Sequence, residues 1–158
     1  MTRLRWIAGF TLYLFAISGI ADEQNETDLE AFAHTYFEAM VATQHPQATP
    51  SSLEDYLALL HDDVGHTHLP YVTDDSRLPD GKASMREGMQ FYLGSHDSYD
   101  AELLSVFVFN TSAVAIRYRH KASGIHPQNN QPLSYDSTMM ELLEIESGKV
   151  AVIRKYHE

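Results

Sequence analysis

The stretch Met139–Glu158, MMELLEIESGKVAVIRKYHE, reads as two apolar-rich strands around one tight turn. It sets Glu141 among Met139, Leu143 and Ile145, because residues two apart share one face of a strand. Ionisable groups rarely stand in apolar surroundings without a partner or a task, so this carboxylate marks a candidate pocket. Register decides what it meets, since a slip of one residue sends every side chain to the opposite face. A three-residue loop at Glu146-Ser147-Gly148 puts Glu141 opposite Ile153, whereas a two-residue loop at Ser147-Gly148 puts it opposite Arg154 as an ion pair. The first is expected, because two-residue turns prefer Asn-Gly, Asp-Gly or a leading Gly. An apolar setting then keeps Glu141 protonated, able to donate a hydrogen bond to a developing oxyanion.

Upstream, strand-like alternation runs over Ala101–Phe109, Ala113–Lys121 and Leu133–Ile145, with turn residues between, and implies an antiparallel meander ending in Lys149–His157. Val114, Ile116, Tyr118 and His120 share one face of the second strand, and Arg117, Arg119 and Lys121 the other. The strand Ala101–Phe109 is apolar on both sides, with Leu103, Phe107 and Phe109 on one and Leu104, Val106 and Val108 on the other. One side covers helices, and a two-fold homodimer through the sheet would cover the other.

Before the strands, three pairs of a hydroxyl residue and a glutamate three positions on, Thr27 with Glu30, Ser51 with Glu54 and Ser84 with Glu87, predict helix starts by reciprocal capping. Apolar stripes follow each: Leu29 to Val41 over about four turns, Leu53, Tyr56, Leu57 and Leu60, then Met85, Met89, Tyr92 and Leu93 before Gly94. Between the second and third helices a strand begins at His66-Thr67-His68, and a polar loop to Asp80 is expected to rim an opening.

The chain of 158 residues, 44% hydrophobic, suits one folded domain and excludes disorder as its main state. Residues 1–21 form a separate unit: Arg3 and Arg5 precede the apolar run Trp6–Ile17, and small residues to Ala21 suit cleavage there. The alternative, an uncleaved anchor, needs about 20 apolar residues, more than this run supplies. The expectation is a signal peptide at 1–21, a domain at 22–158, and an exported protein, periplasmic or secreted, with no membrane association after signal removal. With no cysteine, the exported form is held by packing and oligomerisation. Cleavage leaves nine basic residues against twenty-two acidic ones, a net charge of −13, and no basic patch stands out, so nucleic acid is excluded as a partner.

Three helices, a strand between the second and third, and a final curved meander are the element order of the nuclear transport factor 2-like superfamily. The chain resembles its SnoaL-like and ketosteroid-isomerase-like branch in His61-Asp62-Asp63-Val64 ahead of the first strand, Gly81 with Met85-Arg86-Glu87-Gly88, Val114-Ala115-Ile116-Arg117-Tyr118, and Gly148-Lys149-Val150-Ala151-Val152-Ile153-Arg154. The resemblance spans residues 28–158 and implies an α+β fold, a cone-shaped α+β barrel of three N-terminal helices on a curved, mainly antiparallel sheet. It also implies a pocket between the concave sheet and the first helix. The family's isomerases place there a base, a tyrosine and an acid, which fall here on His68, Tyr36 and Glu141. Histidine for aspartate at the base, and glutamate for aspartate at the acid, depart from the family pattern. The family's cyclases draw an acid and a histidine from strands that carry Asp136 and His120 here.

His68 precedes Leu69-Pro70 at a strand end, where a neutral imidazole removes a proton near pH 7 without large tuning. His66, Tyr118, His120, Asp136, Ile153 and His157 are candidate ligand contacts. His66-x-His68 could chelate a divalent metal only if His120 or His157 converged on it, and two histidines in a strand are more often metal-free. No metal or cofactor is expected. The function expected is proton transfer next to a carbonyl, of isomerase or cyclase type, in an apolar pocket for a small hydrophobic or carbonyl-bearing ligand. The alternative is a non-catalytic small-molecule binding protein of the same fold.

Overall fold

The computed structural model describes residues 17–158, with side chains from residue 28 onward. The expected signal falls mostly outside them. Helix α1 (Ile17–Ala42) and helix α2 (Pro50–Ala58) lead into strand β1 (Leu60–Leu69), followed by helix α3 (Gly81–Tyr92) and strands β2 (His96–Asn110), β3 (Ala113–Ile125), β4 (Pro132–Glu146) and β5 (Lys149–His157). The architecture is α+β. The strands form one sheet in the order β1-β5-β4-β3-β2, which is open rather than a closed barrel, with β1 and β2 at its edges. Neighbours are antiparallel except β1, which runs parallel to β5. The sheet is therefore mixed, and the meander expected from the sequence covers four of its strands.

Among the described residues no helix is long and apolar enough to cross a membrane. Helix α1 lies over β2 and β3, and α2 bridges α1 and α3. Its stripe packs inward as expected, burying Tyr36, Phe37 and Met40 against Tyr56, Leu57, Tyr118 and Ile153.

The helices are where the sequence puts them, yet none of the three expected caps operates. Helix α1 begins by Ile17, so Thr27 lies inside it. In α2 the cap is Thr49, whose hydroxyl accepts from the Ser52 amide at 3.3 Å, and Pro50 fixes the first helical residue. Glu54 instead takes a two-pronged bond from Arg86 on α3, at 2.6 and 2.9 Å. Helix α3 starts at Gly81 with no side-chain cap, before Ser84.

Bulges bend the sheet and re-aim its faces. In β2 a register shift between Leu103 and Ser105 puts Tyr99, Ala101 and Leu103 on the inner face with Val106 and Val108. Phe107 and Phe109 are thereby turned outward, 63% and 70% exposed, and no longer share a side with Leu103. The segment His61–Val64 lies within β1 rather than ahead of it. The polar loop after β1 folds across the outer face of that strand, where its Arg77 lines a depression. Asp75 comes so near Gly65 that a Cβ there would sit 2.2 Å from its carbonyl oxygen, which only glycine permits. Arg77 ties the loop to Asp63 at 2.8 Å and to Glu146 at 2.6 Å.

Candidate functional site

The last hairpin turns at Ser147-Gly148, both with positive φ (49° and 75°), and pairs Glu146 with Lys149. A two-residue turn alone would set Glu141 against Arg154. A bulge at Ala151, between the pairs Ile145–Val150 and Glu144–Val152, advances β5 by one residue and brings Lys155 opposite Glu141. Neither expected register occurs. Arg154 faces outward, bonded to Asp75 and Glu144.

Glu141 is fully buried, at 0% exposure. Its Oε1 accepts from the Tyr118 hydroxyl at 2.6 Å and from Lys155 Nζ at 2.8 Å, and its Oε2 from the Tyr36 hydroxyl at 2.7 Å. Because Tyr36 spends its only proton on Glu141, Tyr56, 3.1 Å away, donates to the Tyr36 oxygen. Burial pushes the Glu141 carboxyl up, but the Lys155 ammonium and the three hydrogen bonds outweigh it, and the group is held below the ordinary carboxylate range. Glu141 is thus an acceptor-only carboxylate, which corrects the expectation of a neutral oxyanion donor. Burial first, then the Glu141 charge, pushes the Tyr36 and Tyr118 hydroxyls well up, so both stay protonated.

Lys155 is one of two residues the sequence reading left out. Its Cα partners are Glu141 on β4 and His68 on β1, so the three stand in one row across the sheet. The other is Tyr56, visible only as one more apolar position of α2. Around Lys155 the imidazoles stay neutral: burial, then the Lys155 charge, lowers His66 to about 4 and His120 to about 4, and the same causes lower His68. His120 Nε2 meets the Ser137 hydroxyl at 2.8 Å and its Nδ1 the Tyr99 hydroxyl at 3.3 Å. His68 Nε2 lies 2.6 Å from His157 Nε2.

A cleft of about 400 Å³ opens beside this row, lined by His66 and His68 of β1, Thr43 and Gln44 after α1, and Met85 and Met89 of α3. Tyr36, Tyr118 and Glu141 form one buried hydrogen-bonded cluster, and none of the three lines the cleft itself. Ile153 is buried in the core beside them, opposite Leu143. Asp136 is not brought to this group: it sits on the opposite face, paired with Arg119 at 2.8 Å and Lys121 at 3.5 Å. Strand alternation already separates it from Met139 and Glu141, since it differs from them in parity. Among the described residues no three His, Asp or Glu side chains converge as metal ligands.

No family model and no curated protein matches the sequence. Solved structures do match in fold. A proposed polyketide cyclase from Xanthomonas campestris pv. campestris superposes with a TM-score of 0.62 at 17% identity, over 85% of this chain and 93% of that one. A proposed ketosteroid isomerase from Kribbella flavida gives 0.56 at 16%, over 87% and 79%. An NTF2-like protein from Anabaena variabilis gives 0.56 at 15%, over 94% and 96%. This chain has the nuclear transport factor 2-like fold. At such identities the likeness carries the architecture, and the chemistry of an NTF2-like domain has to be argued from its own side chains.

Proposed function

We propose that this protein is an exported NTF2-like domain that takes a small carbonyl-bearing molecule into the cleft beside β1 and moves a proton next to its carbonyl. The observation that carries this is the row His68–Lys155–Glu141: a neutral imidazole beside an ammonium that is anchored from below by a buried carboxylate. His68 removes a proton from the carbon next to the carbonyl. The C–H electron pair becomes the new C=C bond, the carbonyl oxygen takes the negative charge, and Lys155 stabilises it. Returning the proton to another carbon completes an isomerisation; where the enolate instead attacks a second carbonyl, the new C–C bond closes a ring and leaves an alkoxide, which takes the proton back from His68. Glu141, Tyr36 and Tyr118 act one layer back, fixing the ammonium, because both hydroxyls donate to Glu141 and are not free for a ligand. A cleft of about 400 Å³ suits a ligand of modest size.

The test is deuterium uptake from D2O at the α-carbon of a panel of cyclic ketones and enones, followed by proton NMR. Exchange well above the buffer rate, lost in Lys155→Met and in His68→Gln, is expected. Binding without exchange would assign the alternative, a carrier that holds the same ligand unchanged. Export rests on the pattern of residues 1–21, and an intact mass starting at Asp22 is its expected signature. We further propose that the domain pairs with a second copy through the outer face of the sheet.

A further inference from the structure

The side chain that faces His68 from β5 has no part in the chemistry above. His68 Nε2 and His157 Nε2 are 2.6 Å apart, and the two ring planes are inclined by only 6° with centroids 4.6 Å apart. Near-parallel rings joined by a 2.6 Å contact cannot be separated by the full thickness of a stack, about 3.5 Å between carbon planes. The rings therefore lie nearly edge to edge, nitrogen to nitrogen. Two lone pairs cannot meet at that distance, so one nitrogen carries a proton and the other accepts it, which between two uncharged rings requires opposite tautomers. His68 lines the cleft and is half-buried, whereas His157 stands outside the cleft and is exposed.

We propose that His68 and His157 share one proton and work as a single acid–base unit, with His157 as the relay that takes the charge out of the cleft. This rests on the reading of His68 as the base. At the start His68 carries its proton on Nε2 and has Nδ1, its one remaining ring nitrogen, free for the ligand, while His157 carries its proton on Nδ1. Nδ1 of His68 takes the proton from carbon as Nε2–H passes to Nε2 of His157, and the positive charge moves to the exposed ring. In the return step His68 Nδ1–H protonates the other carbon and the bridging proton moves back, so both tautomers are restored and all protons are accounted for.

The surroundings favour the charge on His157. Burial and the Lys155 charge disfavour a cation on His68, whereas the His157 side chain is exposed to water; Glu141 of β4 is already committed to Lys155, and burial with the Lys155 charge lowers His66 of β1 and His120 of β3. Tyr71, from the loop after β1, sets its ring nearly perpendicular to both imidazoles, with centroids 6.3 and 5.9 Å away. Glu158, next to His157, is tied to Arg117 at 2.5 and 2.8 Å, and its amide donates to the Thr138 carbonyl at 3.1 Å. That anchor fixes the strand end which presents the relay.

The experiment is long-range proton–nitrogen NMR on the full chain with ¹⁵N-labelled histidine, beside the deuterium-exchange assay. Opposite tautomers at His68 and His157, a coupled two-step titration that becomes one step in His157→Gln, and exchange slowed roughly 10- to 100-fold in that variant with KM unchanged are expected. Circular dichroism confirms that the variant, altered at an exposed residue, is folded. Identical tautomers, or independent titrations with an unchanged pH profile in His157→Gln, would overturn the relay even if the wild type catalyses exchange. Opposite tautomers and coupled titration with no exchange on any ketone would uphold the shared proton and remove His68 as a base.

Discussion

At the scale of single residues, Glu141 decides what the interior can do. An unpaired carboxyl at that depth would be neutral, and the apolar neighbours Met139, Leu143 and Ile145 point to that outcome. Lys155, Tyr118 and Tyr36 reverse it. Glu141→Gln keeps the shape but strands the ammonium, and a loss of about 3 kcal/mol in urea unfolding is expected, as for removing one partner of a buried pair. The sign with pH follows from the lowered carboxyl: its stabilisation is complete above about 4.5, its ordinary value, and is lost as the pH falls through the still lower value in the fold. The histidines act earlier. His66, brought down from 6.5 to about 4, is neutral in the fold where the unfolded chain is already charged, so it costs nothing above 6.5 and increasingly opposes folding as the pH falls from there towards 4. Thermal melts of His66→Gln between pH 7 and 4 are expected to show a shallower decline of Tm than the wild type; an unchanged slope would mean that His66 titrates normally. The sequence singled out Glu141 and the histidines because polar groups on apolar faces are visible as pattern. Lys155 shares a face with Ile153 and His157, but the expected register set Ile153 opposite Glu141, and the bulge that brings Lys155 there instead is not visible as pattern.

At the scale of elements, that bulge and the turn beside it carry the site. Ser147 and Gly148 both adopt positive φ, the conformation of a tight hairpin in which asparagine followed by glycine is preferred. Ser147→Asn is expected to add about 0.5 kcal/mol to stability, whereas Gly148→Ala, forced into the same conformation, loses about 1 kcal/mol or more. Chemical denaturation of both variants checks the pair, and equal stabilities would show that the turn is not under this constraint. Element existence was legible throughout, because periods of 3.6 and 2 survive small errors of boundary. Caps and registers were not. Ser51 lies beside Thr49-Pro50, which by local rules serves equally well and takes the start of α2; Ser84 is passed over because α3 already starts at Gly81; and Glu54 is drawn to Arg86, a contact distant in sequence.

For the whole molecule, the outer face of the sheet carries the contact proposed between two copies. Phe107 and Phe109 project from edge strand β2 beside a depression of about 680 Å³ whose floor includes Ala113, Ala115 and Ala151. In the proposed dimer the large residues would complement the small ones beside them: a two-fold axis would let the phenylalanines of each copy enter the depression of the other. Each ring fully buried this way contributes on the order of 2 kcal/mol, a large share of what holds a modest dimer together. The basic stripe Arg117 and Arg119 does not call for an acidic partner, since Glu158 and Asp136 already neutralise it within the chain. Size-exclusion chromatography with light scattering is expected to give twice the chain mass for the wild type and a monomer for Phe107→Ser with Phe109→Ser. The cleft opens on the inner face, so the monomeric variant should retain ligand binding and exchange. A wild-type monomer at micromolar concentration would instead make this face an exposed surface of the isolated domain.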